Sequence, residues 1–211
     1  MKKLLIATTN AGKLKEISNF LSDLPRTIGM VRGLPFKIVS LSDIGIKNDV
    51  KETGNSYQDN SRIKAIFYAK KSGIPAIADD GGVEIEAFNG APGIKSKRWL
   101  GKDSTEKDII NHMIKVASIL PDNNRKAKFK TIISLALPNG KVWSVDGEVE
   151  GIIAEKPYLK ILKGYPYRSF FYLPKLKKYY HEDQLTSGEQ KEYNHRYKAI
   201  NKLKPIIMKE L

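Results

Sequence analysis

Apolar positions follow two different rhythms along these 211 residues. In the first half, short apolar runs alternate with stretches at helical spacing. In the middle the spacing drops to two. The run at residues 2–7 predicts a buried first strand, and Leu14, Ile17, Phe20 and Leu21 share one side of a helix over 13–24. Pro25, Gly29, Gly33 and Pro35 mark a connection over 25–35, and 36–41 reads as a second strand. A second helix is predicted over 60–72, beginning between Ser56 and Asn60. Residues 74–78 form a strand, 83–87 a short edge strand or turn, and 105–120 a long helix. That helix carries Ile109, Ile110, Met113, Ile114 and Ala117 at helical spacing.

Residues 127–137 and 141–149 then alternate with period two around Pro138-Asn139-Gly140, the pattern of an antiparallel hairpin. Residues 151–154 extend its second strand, 167–172 read as another strand, and 187–202 as a final helix carrying Asn194, His195 and Arg196. Strand–helix alternation followed by a hairpin predicts a mixed sheet with helices on both faces. No internal repeat is visible, and no linker divides the chain.

Composition narrows the function classes. Apolar residues make up 41% of the chain, enough for a sizeable core. No apolar run approaches the roughly 18–20 residues that span a bilayer. The start, Met1 to Ala7, resembles a signal, but Thr8-Thr9-Asn10 ends its apolar run too early. The absence of cysteine excludes disulfides, thiol nucleophiles and cysteine-ligated metal centres. A cytoplasmic protein with no membrane partner is expected. The net charge is +14, and residues 156–211 hold 13 Lys/Arg against 5 Asp/Glu. Such an excess favours polyanions, whether a nucleoside triphosphate or a nucleic acid backbone, or else is a solvated basic face.

Two segments carry chemistry. Ala78-Asp79-Asp80-Gly81-Gly82 closes an apolar run on two adjacent carboxylates. A divalent cation or a proton-transfer role suits such a pair, and Mg²⁺ takes one or two carboxylates together with phosphate oxygens. A tight turn capped by aspartate is the plain alternative. Thr8-Thr9-Asn10-Ala11-Gly12-Lys13 turns a strand into a helix, and its hydroxyls, amides and lysine can cradle phosphates. It lacks the spacing of a P-loop and equally fits an ordinary helix cap. Glu52-Thr53-Gly54 and Tyr57-Gln58-Asp59-Asn60, with Lys64, add carboxylates, an amide and a cation around the second helix. His112 and His181 have no zinc-site spacing.

In order along the chain, these residues resemble the inosine triphosphate pyrophosphatase (ITPase) family. The matching segments are Thr8-x-Asn10-x-x-Lys13, Glu52-Thr53-Gly54, Tyr57-x-Asp59-Asn60-x-x-x-Lys64-Ala65, Ala78-Asp79-Asp80-x-Gly82, Gly90-Ala91-Pro92-Gly93, Arg125-x-Ala127-x-Phe129 and His195-Arg196. The resemblance implies an α/β fold with an elongated central mixed sheet flanked by helices. It implies one domain over 1–211, of two lobes with a cleft between them, and a homodimer. The implied reaction is Mg²⁺-dependent hydrolysis of aberrant purine nucleoside triphosphates (inosine, deoxyinosine and xanthosine) to the monophosphate and pyrophosphate. Carried over by residue, Asp80 would be the catalytic proton acceptor and a metal ligand, and either Glu52 joins it as a ligand or the metal is held mainly by Asp80. Thr8, Asn10 and Lys13 would hold phosphates, Gly81 would lie beside the substrate, Tyr167, Arg168 and Lys191 would bind it, and His195 and Arg196 would contact the base.

The departures fall mostly in the C-terminal half. Lys51 stands where many relatives have the first of two glutamates, and Gly81 where they have serine. The usual Gly-Phe-Gly-Tyr-Asp-Pro is Gly164-Tyr165-Pro166-Tyr167-Arg168-Ser169, which reverses a charge in the base-reading segment. The usual Ser-His-Arg is Asn194-His195-Arg196, with Lys191 one residue closer than expected, and 25–35 is an insertion. Triphosphate hydrolysis with a moved base preference is the expected activity. A relative that binds nucleotide or nucleic acid with weakened catalysis is the alternative.

Overall fold

The computed structural model describes residues 1–22, 36–47, 50–101 and 104–211, so the insertion at 25–35 lies outside the described residues. Its elements are β1 (Lys2–Ile6), α1 (Ala11–Ser22), β2 (Phe36–Ser40), α2 (Tyr57–Ser72), β3 (Ala76–Ile85) and α3 (Glu106–Ile119). They continue with β4 (Lys126–Ala136), β5 (Val142–Ile153), β6 (Phe171–Leu173), β7 (Lys178–Tyr179), α4 (Ser187–Glu192) and α5 (His195–Glu210). The strands form one seven-stranded sheet in the order β2-β1-β3-β4-β5-β6-β7. β1 is parallel to β2 and β3, whereas β6 is antiparallel to β5 and β7, so the sheet is mixed as expected.

The chain forms two compact units. Residues 1–80, 131–147 and 196–211 make the first. Here β1 is buried on both faces, which is why it reads as a continuous apolar run. Leu4 and Ile6 join Ile17, Phe20 and Leu21 of α1 and Ala199, Ile200, Leu203 and Ile207 of α5. Leu5 and Ala7 meet Ala65, Tyr68 and Ala69 of α2. Ser56 caps α2 by accepting from the Asp59 amide, and Gly73 closes it in the left-handed region, so both ends are written in local sequence.

Residues 81–130 and 148–195 make the second unit. Its core packs Ile109, Met113, Val116 and Ala117 of α3 with Val83, Ile85, Phe129, Val149, Phe170, Phe171 and Tyr180. Thr105 and Asp108 form a capping box at the start of α3. At its other end the Arg125 guanidinium donates to the carbonyls of Ala117, Leu120 and Ile153. One buried cation thereby satisfies helix-end acceptors that no helical amide reaches.

Four expectations change. Residues 74–78 and 83–87 are not two elements, because β3 runs unbroken for ten residues through Asp79-Asp80-Gly81-Gly82. The expected final helix breaks at Tyr193 and Asn194, and its second part continues past Lys202, with Pro205 inside it, to Glu210. Of the strand expected over 167–172, residues 168–170 form a 3-10 turn and only Phe171 and Tyr172 are extended. Ile114 lies on the open side of α3, 47% exposed, and Val116 takes the core position instead.

Candidate active site

Successive side chains of a strand leave opposite faces, and β3 uses this to separate its two carboxylates. Both are buried, Asp79 at 2% and Asp80 at 8% exposure, and each meets a different set of partners within the first unit.

Asp79 receives two cations on one oxygen. Lys13 Nζ lies 3.0 Å from Oδ2, and Arg196 Nε donates to the same atom at 3.1 Å. Arg196 Nη1 also donates to Glu16 at 3.0 Å. Burial pushes the Asp79 carboxyl up, but Lys13 and Arg196 outweigh it and hold it well below the usual range. Burial in turn pulls the Lys13 ammonium down, against the attraction of Asp79. Lys13 stands in the first turn of α1, where Asn10 Oδ1 accepts from its amide at 3.0 Å and Thr8 Oγ1 accepts from the Asn10 amide at 3.2 Å. The loop is therefore a helix cap that also presents the amide end of α1.

Asp80 lies among the α2 side chains Asn60 and Lys64, which share a helix face because they are four residues apart. Asn60 Nδ2 donates to Asp80 Oδ2 at 3.1 Å, and its Oδ1 accepts from the Gly54 amide at 2.8 Å. A Cβ on Gly54 would lie 2.4 Å from the Asp59 Cβ, so glycine is what lets this loop close onto α2. Lys64 Nζ is 2.7 Å from Glu52 and 3.7 Å from Asp80 Oδ1, a cation between two carboxylates. Lys51 is exposed. Burial raises the proton affinity of Asp80, with Glu52 adding to it and Lys64 opposing. Two adjacent aspartates are thus driven in opposite directions, one locked as an anion and one poised to take a proton. Among the described residues, no group of three or more Asp, Glu or His side chains stands ready for a metal. Glu52 and Asp80 place two carboxylates on either side of Lys64.

The second unit holds the remaining predicted residues. Gly81 follows Asp80 in β3 and is partly exposed. At Gly82 a Cβ would fall 2.2 Å from Ser96 Oγ, and this hydroxyl accepts from the Val83 amide at 3.1 Å. Tyr167 is buried, and its hydroxyl donates to the Ser96 carbonyl at 2.6 Å, bracing the same turn. Arg168 is also buried, its guanidinium 4.0 Å from the Tyr165 ring centroid and 4.6 Å from that of Tyr180. His195, the first residue of α5, is stacked on Phe129 and hydrogen-bonded through Nδ1 to the Tyr180 hydroxyl at 2.8 Å. Lys191 is exposed on α4.

The profile of the Ham1 family matches residues 4–206. The chain belongs to the Ham1 family. Among relatives, a dITP/XTP pyrophosphatase of Thermoanaerobacter pseudethanolicus is 38% identical over 99% of this chain and 98% of its own. A dITP/XTP pyrophosphatase of Bacillus licheniformis is 30% identical, with 98% of both chains covered. Of solved structures, a HAM1 protein from Coxiella burnetii superposes with a TM-score of 0.79 at 30% identity, covering 99% of this chain and all of the other. The Ham1 protein of Staphylococcus aureus gives 0.77 at 29% identity over the whole of both chains. The Ham1 assignment confirms the family resemblance and the mixed α/β fold read from the sequence. Within this Ham1 chain, Asn60 and Lys64 were visible as a motif but carried no role. Their four-residue spacing was the available signal. Tyr180 had none, because its meaning depends on a partner 15 residues away.

Proposed function

We propose that this protein hydrolyses aberrant purine nucleoside triphosphates, inosine, xanthosine and their deoxy forms among them, to the monophosphate and pyrophosphate, with Mg²⁺ as cofactor. That it is a nucleoside triphosphate pyrophosphatase, a hydrolase, rests on its membership of the Ham1 family and on full-length relatives named dITP/XTP pyrophosphatases. One observation carries the chemistry: Asp80 is a buried carboxyl of raised proton affinity, held in place by Asn60 and adjoined by Glu52 and Lys64. Asp80 takes the proton of the attacking water, the water oxygen bonds to phosphorus, and the anhydride bond between the α- and β-phosphates breaks to release pyrophosphate.

The donor set fits the metal. Glu52 and Asp80 are carboxylates, the hard oxygen donors that Mg²⁺ takes, and both lie beside Lys64. With Lys51 exposed, Glu52 is the residue to take the second ligand role. Bound Mg²⁺ would neutralise phosphate charge and polarise the phosphoryl group under attack. Thr8 and Asn10 shape the amide end of α1 for phosphate, and Lys13 supplies a cation in its first turn. Arg196 stands on Asp79, in contact with the same anion as Lys13. Base recognition falls to His195 and Arg168, with Lys191 as a further cation for the substrate. Tyr167 acts by holding the turn through Ser96, and Gly81 by lacking a side chain next to Asp80.

Residues 1–211 are taken to act as one domain of two units, as a homodimer in the cytoplasm. Among the described residues no helix is long and apolar enough to cross a membrane. The test is pyrophosphate release across a panel of triphosphates with and without Mg²⁺. Release from inosine and xanthosine triphosphates that requires the metal is the expected result. Triphosphate binding without any release would favour the alternative, a binding protein with weakened catalysis.

A further inference from the structure

The two ends of an asparagine side chain are unlike: the oxygen only accepts hydrogen bonds and the nitrogen only donates them. Asn60, 1% exposed, sets each end against a partner of fixed chemistry. Oδ1 accepts from the Gly54 amide at 2.8 Å, and Nδ2 donates to Asp80 Oδ2 at 3.1 Å. A peptide N–H cannot accept and a carboxylate cannot donate. A flipped carboxamide would lose both bonds and set its oxygen against an anion, so the two partners dictate its orientation.

The groups at either end are anchored through their main chains. Asn60 lies in the first turn of α2, where its own amide donates to the Ser56 carbonyl at 3.1 Å. The main chain of Asp80 is held from β4, where buried Thr131 Oγ1 donates to the Asp80 carbonyl at 3.1 Å. That bond leaves the torsions of the carboxylate free. Lys64 Nζ, 3.7 Å from Oδ1, attracts the carboxylate but lies beyond hydrogen-bond range and does not direct it. Among the described residues, the hydrogen bond that directs the carboxylate comes from Asn60. The loop clasps α2 at two points one helical turn apart, Gly54 on Asn60 and Glu52 on Lys64. A Cβ on Gly54 would lie 2.8 Å from Asn60 Oδ1, so the clasp needs a glycine. All of these residues belong to the first unit.

We propose that Asn60 is a positioning residue that makes Asp80 competent as a proton acceptor only while loop 52–54 is docked on α2. The Gly54 amide turns the carboxamide, and the carboxamide turns the carboxylate. Seating of the loop that carries Glu52 and orientation of Asp80 are then one event. Neither Asn60 nor Gly54 has to touch the substrate. The inference rests on the proposed role of Asp80.

Asn60→Leu removes both bonds at nearly unchanged volume. With inosine triphosphate, kcat should fall about 10–100-fold, the cost of losing one hydrogen bond to a charged group and with it the alignment of the base. KM should change little, because phosphates and base are held by other residues. Gly54→Ala should lower kcat in the same way. The double variant should lose no more than Asn60→Leu alone, because both changes cut one link. Hydrogen exchange read by NMR should find the Gly54 amide protected in the wild type and open in Asn60→Leu, and thermal melts should show both single variants folded. Should Asn60→Leu not fold, Asn60→Ala, which leaves room for water, carries the same comparison. An unchanged kcat in the Asn60 variant would overturn the inference, as would additive losses in the double variant or an unprotected Gly54 amide in the wild type. A raised KM at unchanged kcat would overturn it too, since that places Asn60 in binding. A wild type that releases no pyrophosphate would sink the proposed function instead, with Gly54 exchange still deciding whether Asn60 ties the loop.

Discussion

Changing either of two neighbouring aspartates to asparagine should have opposite consequences. Asp79→Asn removes the anion shared by Lys13 and Arg196, at 3.0 and 3.1 Å. Removing one partner of a buried ion pair costs about 3–5 kcal/mol. Arg196 keeps Glu16, and Lys13 is partly exposed to solvent, so a loss of about 2–3 kcal/mol applies here. For a chain of this size that lowers the melting temperature by about 5–10 °C. Asp80→Asn replaces a carboxylate whose charge is disfavoured by burial. The amide can still accept from Asn60, and Lys64 keeps Glu52, so the melting temperature should equal or exceed that of the wild type. Turnover, however, should fall by roughly 10²–10⁴-fold with the loss of the general base. The sign with pH also differs. The Asp79 carboxyl is depressed, so its stabilisation is full above the ordinary carboxylate range and is lost as pH falls below it. The gap in melting temperature between wild type and Asp79→Asn should therefore narrow below about pH 4. Thermal melts at several pH values, beside pyrophosphate release at saturating Mg²⁺, measure all of this. If Asp80→Asn melted as low as Asp79→Asn, or turned over at the wild-type rate, the division of labour argued for β3 would be wrong.

Three further outcomes are expected. The acid limb of kcat/KM should lie above the ordinary carboxylate range, because Asp80 must be ionised to act and burial raises its proton affinity; a limb at or below that range in a pH–rate profile would refute the assignment. Lys13→Ala should weaken binding of triphosphate far more than of nucleoside in calorimetric titrations, and equal losses would leave Lys13 as a partner of Asp79 alone. Arg168→Asp, which restores the acceptor usual in the family, should shift the inosine-to-guanosine triphosphate ratio of kcat/KM, since guanidinium only donates; an unchanged ratio would give Arg168 to the tyrosine stack and not to the base.

The parts of this molecule that the sequence announces are those whose causes are local. Ser56 and Thr105 mark helix starts, Pro138-Asn139-Gly140 marks the hairpin, and the period of Leu14, Ile17, Phe20 and Leu21 marks the buried side of α1. The paired aspartates also stood out as chemistry. What stayed hidden depends on distant partners. Asp79 and Asp80 look like a place where a strand must stop, yet β3 continues because Lys13, Arg196, Lys64 and Asn60 come from α1, α5 and α2 to meet them. Pro205 reads as a helix breaker, but Leu203 and Ile207 on either side of it are fully buried, and that packing carries α5 through. The break before His195 carries one local sign, Asn194, a residue that favours caps and turns over a helix interior but does not by itself end a helix. Arg125 was visible as a motif, and its purpose appears only when the end of α3 and Ile153 are brought to it.

The Asp79–Arg196 pair also fixes an order of events during synthesis. Arg196 leaves the ribosome 117 residues after Asp79, and 180 after Glu16. Until it does, the carboxylate can be met by Lys13, but the apolar faces of β1 and α1 that await Ala199, Ile200, Leu203 and Ile207 stay open. The first unit therefore closes late, after the second has been translated in full. A nascent chain stalled before residue 196 should bind chaperones and be cut readily by protease, and resistance should appear abruptly once α5 has emerged.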